Sequence, residues 1–217
     1  MLTVREAILE RRAIRKFKPD PVPDAYILEM LEAARLAPSG HNRQPWRFLV
    51  VTDPAERTFI QDACRHQRFI GEAPVVFVCA ADLSAFSKLS ERLRYEEFIE
   101  YGVFDTFSGD LTDHAYWEKG FLSGPEPDPK AFIGGALANT YIAIEHLVLT
   151  ATALGLGTCW VQARPATEAL QKRFGWPEHI ICAAVIPCGY PAFQPSPRPR
   201  QALEELLLRP LAVTSPP

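Results

Sequence analysis

The chain has 217 residues, of which 47% are hydrophobic and 23% charged; this composition fits one globular domain and excludes a disordered chain or a coiled coil. Its formal net charge of −3 argues against a broad nucleic-acid-binding surface, because such surfaces are basic. The five cysteines form no C-x-x-C pair and share no zinc spacing with histidine, so we expect no metal site and a reducing, cytoplasmic location.

Hydrophobic periodicity, capping residues and prolines predict an alternation of helices and buried strands. The predicted helices cover residues 3–11, 24–36, 54–66, 84–101, 129–154 and 165–174. The predicted strands cover residues 46–52, 74–81, 157–162 and 180–190. Because the strands and helices follow no regular βαβ rhythm, the sequence favours an α+β fold over a Rossmann fold.

Residues 131–154 form the one stretch apolar enough to suggest a membrane span. It contains Asn139, Glu145 and His146, and charged groups in mid-span are costly. The sequence therefore predicts no membrane segment, but a helix buried in the fold or at a dimer interface.

The organisation predicted for the chain is a single domain over residues 1–217. Residues 102–129 are rich in Gly, Pro, Asp and aromatic residues without a clear period, which predicts a long functional loop. They belong to an insertion over residues 83–129. Residues 191–217 form a proline-rich, exposed C-terminal extension.

Two clusters of arginines are candidate anion sites, because guanidinium groups form bidentate bonds to phosphate. The first cluster is Arg11, Arg12 and Arg15, whose alternative interpretation is a solvated basic helix end. The second cluster is Arg198 and Arg200 in an extended, proline-flanked segment, whose alternative is an ordinary soluble tail.

A third candidate site is the polar loop Pro38-Ser39-Gly40-His41-Asn42. Gly40 allows a close approach of backbone to ligand, and Ser39 and Asn42 offer donors and acceptors that match a pyrimidine edge. The same residue types also suit a plain helix-ending turn. Elsewhere the sequence has no dinucleotide fingerprint, no Walker motif and no G-x-S-x-G elbow.

Four motifs occur in an order that resembles the nitroreductase family, from about Val4 to Arg200. They are R-R-x-x-R-x-F, A-P-S-G-x-N-x-Q-P-W, G-L-G-T-C-W and P-R-P-R. The resemblance implies a central antiparallel sheet wrapped by helices, in an intertwined homodimer with FMN at the subunit interface. It also implies turnover in which NADH or NADPH reduces the flavin and a small electron-poor acceptor, such as a nitroaromatic, quinone or enone, oxidises it.

Site residues are carried over from the family motifs as expectations. The outer arginines would bind the FMN phosphate, and Arg15 would lie near the N1/O2 edge of the flavin. Ser39 and Asn42 would contact the flavin from the partner subunit. Gln162 and Ala163 would place backbone amides near N5 and O4 of the flavin. The full expected cofactor set is Arg11, Arg12, Ala13, Arg15, Pro38, Ser39, Gly40, Asn42, Gln44, Trp160, Gln162, Ala163, Arg198 and Arg200.

The expected substrate residues are aromatic side chains of the insertion that could stack on a flat acceptor. They are Tyr101, Phe104, Phe107, Tyr116, Trp117 and Phe121. The alternative is a surface flap packed on its own side chains.

Ala13 stands where the family usually has serine. The expected reaction requires no general acid from the protein. A flavin-dependent dehalogenase or oxidase, or a non-catalytic flavin-binding protein, are the alternative functions.

Overall fold

The computed structural model of the protein describes residues 2–109 and 113–209, apart from the side chain of Phe121. The helices are α1 (Val4–Glu10), α2 (Asp24–Arg35), α3 (Pro54–Ala63), α4 (Arg68–Glu72), α5 (Lys88–Glu100), α6 (His114–Trp117), α7 (Ile133–Ala153) and α8 (Thr167–Phe174). The strands are β1 (Trp46–Val51), β2 (Val75–Asp82), β3 (Gly157–Thr158), β4 (Val161–Gln162) and β5 (Ile180–Gly189).

The sheet is antiparallel, in the order β1-β2-β5-β3, and β4 also pairs with β5. Every residue of β2 is buried, as is almost all of β5, because helices cover both faces of the sheet. The α+β prediction is therefore confirmed, and the sheet has the antiparallel pairing that the resemblance implied.

Helices α2 and α7 cover one face of the sheet, and α3, α4 and α8 cover the other. Phe77 of β2 points toward the first layer and Val78 toward the second, as alternation along a strand requires. The core is thus divided into two apolar layers, with β2 and β5 between them.

Helix α7 is the long central helix, and its buried side chains include Ile144, Leu147 and Val148. The stretch Pro129–Ala153 meets the length and composition criteria of a membrane span, which buried core helices also meet. In this fold its apolar face packs against α2 and the sheet.

Local signals place most of the helix ends correctly. The Thr3 hydroxyl accepts a hydrogen bond from the Glu6 amide, and the Glu6 carboxylate accepts one from the Thr3 amide, so the predicted capping box begins α1. Gly155 has φ +79° just after α7 ends, as expected for a helix-ending glycine.

The prediction of one continuous strand over residues 157–162 was wrong. Strands β3 and β4 both pair with β5 and keep the same register, but the ladder is interrupted between them. The Cys159 amide donates to the Pro187 carbonyl at 3.3 Å, and Pro187 has no amide hydrogen to return the bond. The proline therefore divides the strand.

The prediction that residues 102–129 lack regular structure was also wrong in part. Asp113 caps α6 by accepting a hydrogen bond from the Ala115 amide, and a π-helical turn, Glu118–Leu122, continues it. Trp117, at the end of α6, is buried. Residues 191–209 of the tail are mostly exposed, as predicted, and include a short 3₁₀ turn at Leu203–Leu206, while residues 210–217 lie outside the described residues.

Candidate functional site

The N-terminal basic segment lies along the edge of the sheet beside β3. Ala13 forms a parallel bridge with Thr158, and the Ile14 amide donates to the Thr158 carbonyl at 2.8 Å. The buried Ile14 side chain lies against Gly157, where a Cβ atom would collide with it. Glycine is therefore required at position 157 for this close approach.

Arg11 and Arg15 lie on the same side of this extended segment, because alternate side chains share a face. Burial raises the pKa of the Cys159 thiol, while the positive charges of Arg15 and Arg11 act in the opposite direction. Both guanidinium groups are therefore close enough to act on one thiol. The Arg15 guanidinium also lies 5.7 Å from the centroid of the Phe69 ring.

Arg12 points away from Arg11 and Arg15. Its Nη1 donates to the Leu9 carbonyl at 2.6 Å and to the Arg11 carbonyl at 2.9 Å. It lines a separate cavity of about 310 Å³ that also contains Ile14. The structure therefore separates Arg12 from the two arginines with which it was grouped.

The main cavity has a volume of about 610 Å³, within the range of about 300–1,000 Å³ that is usual for small-molecule and cofactor sites. Its lining combines an apolar and aromatic wall with polar groups from the turn between α3 and α4, from β4 and from the 3₁₀ turn Arg164–Ala166. The lining residues are Ala63, Cys64, Arg65, Gln67, Leu137, Tyr141, Trp160, Val161, Gln162, Ala163, Arg164, Pro165 and Ala166. Trp160, Gln162 and Ala163, all predicted cofactor residues, are thus brought together here.

The polar loop 38–44 lies across α7 from this cavity. The Gly40 amide donates to the Asn139 side-chain oxygen at 3.0 Å, whereas Leu137 and Tyr141 line the cavity. Successive helical residues are rotated by about 100°, so Asn139 points away from both. Within one chain, Ser39, Gly40, Asn42 and Gln44 therefore do not meet the cavity residues.

Loop 38–44 has an unusual backbone. His41, Asn42 and Gln44 have φ values of 53°, 52° and 48°, although none is glycine. The Ser39 hydroxyl accepts a hydrogen bond from the Gln44 amide at 3.0 Å and so closes the loop. Such conformations persist only where the surroundings impose them, and they are frequent at ligand sites.

A buried carboxylate from α5 holds this loop. Glu91 Oε1 accepts from Arg43 Nε at 2.5 Å, and Glu91 Oε2 lies 3.2 Å from His41 Nδ1. Burial opposes ionisation of Glu91, but its hydrogen bonds with His41 and Arg43 and their charges prevail and lower its pKa. The Arg43 guanidinium also lies 4.8 Å above the Phe86 ring.

A second contact between α5 and the loop is made through Asn42. Its side-chain amide donates to Glu97 at 3.3 Å, and its carbonyl accepts from Arg94 Nη1 at 3.2 Å. The sequence placed His41 in the candidate polar loop but gave no role to Glu91, Arg43 or Glu97. No local signal indicates the contact between Glu91 and Arg43, because the two residues are 48 positions apart.

Arg198 and Arg200 lie in the exposed tail, and the hydrogen bonds that the structure gives them stay within it. Arg200 Nη1 is 3.4 Å from the carbonyl oxygens of Arg198 and Pro199. Their expected role as cofactor-binding residues remains a prediction.

Three of the predicted substrate aromatics pack on one another and on α5. The rings of Phe107 and Trp117 are stacked at 5.8 Å, and Phe104 contacts both. Tyr95 and Phe98 of α5 complete the cluster. Trp117 is only 2% exposed. For these three rings the structure fits the alternative, a flap packed on its own side chains.

The other predicted substrate aromatics differ in position. Tyr101 is 73% exposed and Tyr116 is 41% exposed, while the side chain of Phe121 lies outside the described residues. The cluster also reaches loop 38–44, because the His41 ring lies 5.3 Å from Trp117 and 5.8 Å from Phe98. The insertion and the loop thus form one packed unit.

Comparison with known proteins identifies the family, because the protein-family model described as "Nitroreductase family" matches residues 8–190 of this chain. The chain belongs to the nitroreductase family. A Thermus thermophilus protein named NADH dehydrogenase is 35% identical over 211 residues, covering 96% of each chain. The resemblance inferred from the four motifs is therefore confirmed.

Two solved structures show the same fold. A nitroreductase-like protein from Streptococcus mutans has a TM-score of 0.76 and 20% identity, over 95% of this chain and 98% of its own. A protein from Exiguobacterium sibiricum, solved in complex with FMN, has a TM-score of 0.75 and 20% identity, over 95% of this chain and 97% of its own.

Proposed function

We propose that this member of the nitroreductase family is an FMN-dependent oxidoreductase that passes reducing equivalents from NADH or NADPH to a small, electron-poor acceptor. The observation that carries the proposal is the main cavity, which joins Trp160, Gln162 and Ala163 in a chain of this family. The name of the Thermus thermophilus relative supports a nicotinamide reductant. A nitroaromatic, quinone or enone is the acceptor class expected from the resemblance.

The residues of the cavity fit an FMN group. The edge-to-face pair of Tyr141 and Trp160, with ring centroids 5.7 Å apart, gives a flat ring an aromatic wall. The backbone from Trp160 to Ala163 offers amides at the polar edge of the ring, and Arg11 and Arg15 supply positive charge beside Cys159. When bound, the flavin would accept a hydride from the nicotinamide and pass electrons to the acceptor.

A homodimer would complete this site. Loop 38–44 and the main cavity lie on different faces of α7, so one flavin can contact both only if the loop comes from a second copy. Apolar side chains on α1, α2 and α7 are exposed in the monomer, and a groove of about 510 Å³ runs between these helices. They include Val4, Ile8, Leu28 and Ile142, and Leu36 directly follows α2.

In such a dimer the insertion 83–129 would lie beside the partner's cavity, because it packs on loop 38–44 through His41. Tyr101 and Tyr116, which are exposed, are then the aromatic side chains best placed to contact an acceptor. Trp117 is buried beneath this part of the insertion.

The five cysteines are unpaired and buried, which supports the cytoplasmic location.

The test is the visible spectrum of the purified protein, followed by anaerobic addition of NADH or NADPH. We expect a flavin spectrum that bleaches with one or both reductants and returns when a quinone or nitroaromatic is added. A protein that takes up no FMN would refute the proposal. Bound FMN that no nicotinamide bleaches would instead favour the non-catalytic alternative, and reoxidation only by halogenated substrates would favour a dehalogenase.

A further inference from the structure

Two arginines at the rim of the main cavity have no role in the site described so far. Arg65 lies in the turn between α3 and α4, and Arg164 begins the 3₁₀ turn Arg164–Ala166 that precedes α8. Both are exposed. Within residues 2–109 and 113–209, neither guanidinium has a hydrogen-bond or ion-pair partner.

Six of the other arginines have a carboxylate within 4 Å in the part of the chain that the structure describes. They are Arg35, Arg43, Arg47, Arg68, Arg94 and Arg173. The chain has 26 acidic and 23 basic residues, so a carboxylate is not scarce, yet none lines the main cavity. A cleft with cations and no anions in its lining concentrates a positive potential at its mouth.

The backbone at Arg65 adds a second, independent observation. Arg65 has φ +62°, and His66 follows with φ +55°. Glycine adopts this conformation without strain, whereas a long side chain does so at an energetic cost. The Gln67 side chain closes the turn by donating to the Cys64 carbonyl at 3.0 Å. The turn thus presents a guanidinium group at the rim at the expense of local strain.

We propose that Arg65 and Arg164 bind an oxyanion carried by the second ligand of the cavity, either a phosphate of the nicotinamide dinucleotide or the carboxylate of an acidic acceptor. The proposal rests on the proposed function, because it assumes that a reductant and an acceptor enter this cavity. Arg11 and Arg15 act on Cys159 by their charge, and the proposed function assigns them to the cofactor. Arg65 and Arg164 therefore remain available to the ligand that enters the cavity after the cofactor.

The experiment uses the FMN-loaded protein and compares Arg65→Gln and Arg164→Gln with the wild type. The matched control is Arg68→Gln, because Arg68 is near in sequence, has an 84% exposed side chain and does not line the cavity. Anaerobic stopped-flow measures flavin reduction by NADH and by 1-methyl-1,4-dihydronicotinamide, which has no phosphate. Reoxidation is measured with 4-nitrobenzoate and with nitrobenzene. Calorimetric titration with benzoate and benzamide gives binding without turnover.

Each pair of ligands has one anionic and one neutral member. For each rim variant we expect the second-order rate constant or the affinity for the anionic ligand of at least one pair to fall about tenfold. The value for the neutral ligand of the same pair should change less than about twofold. A loss confined to NADH identifies the dinucleotide phosphate, and a loss confined to 4-nitrobenzoate and benzoate identifies an acidic acceptor. Arg65→Lys should keep most of the preference, and added salt should weaken it in the wild type.

Equal losses with anionic and neutral ligands would overturn the proposal, as would the same loss in Arg68→Gln. Weaker FMN binding without discrimination between ligands would assign the guanidinium groups to the cofactor and also overturn it. These outcomes differ from failure of the proposed function, in which the wild-type protein itself takes up no flavin or is reduced by neither reductant.

Discussion

Replacing Glu91 with glutamine tests the network that holds loop 38–44. The Glu91 side chain is 9% exposed and that of Arg43 is 13% exposed, so the substitution leaves a buried guanidinium without its counter-ion. Removing one partner of a buried ion pair costs about 3–5 kcal/mol. Arg43 keeps its contacts with the Gly40 carbonyl and the Phe86 ring, so we expect the lower end, about 3 kcal/mol.

Urea unfolding followed by circular dichroism, at one fixed protein concentration, measures this loss. For a chain of this length about 3 kcal/mol corresponds to a fall of roughly 6–12 °C in melting temperature. Glu97→Gln is the control, because Glu97 is 31% exposed in its pair with Arg94 and should contribute about 1 kcal/mol or less. A loss below 1 kcal/mol for Glu91→Gln, or equal losses for both variants, would refute the reasoning.

The same substitution has a predictable pH dependence. The pKa of Glu91 is lowered in the folded protein from its ordinary value of 4.5, so its stabilisation is fully present above that value. It is lost as the pH falls through the lowered folded-state pKa. The difference in unfolding free energy between wild type and Glu91→Gln should therefore be constant from about pH 8 to pH 6 and shrink below about pH 4.5.

Three further substitutions test the cofactor site and the dimer. Arg11→Ala should weaken FMN binding by about 1.5–3 kcal/mol in a fluorescence titration, whereas Lys18→Ala should leave it unchanged; equal affinities would contradict the role of Arg11. Gly157→Ala should cost about 1–3 kcal/mol in urea unfolding, because the new methyl group collides with Ile14. Ile142→Asp should convert the proposed dimer to monomers in sedimentation velocity, since Ile142 is 41% exposed on α7; a wild-type protein that is a stable monomer at micromolar concentration would refute the dimer.

Local sequence signals predicted the elements whose ends depend on local chemistry. The Thr3–Glu6 capping box and Gly155 correctly marked a helix start and a helix end. Two of the failures depended on a partner elsewhere in the chain. Pro187 interrupts the ladder opposite Cys159, and Trp117 buries its ring against α5 and so stabilises a short helix in a segment without clear periodicity.

The candidate site was predictable in its composition but not in its geometry. The motifs indicated which residues belong to it, and Trp160, Gln162 and Ala163 do share a cavity. The direction of Arg12 follows from strand alternation, once Ala13 is known to pair with Thr158. The contacts of Glu91 with a loop about 50 residues away arise only from tertiary packing. The extent of the single domain and the roles of the cofactor residues stay predictions.

The pairing of β2 with β5 affects how the chain reaches its fold. β2 ends at Asp82, and Asp82 pairs with Ile180, where β5 begins, so the central pair of the sheet closes a loop of about 100 residues. Such long-range pairing folds slowly. At about 5–20 residues per second, a ribosome needs roughly 5–20 s to make the intervening chain. During that time β2 is paired with β1 along one edge and has no partner along the other. β2 is also an apolar strand whose two faces are buried in the native fold. We therefore expect the nascent chain to engage chaperones until β5 emerges.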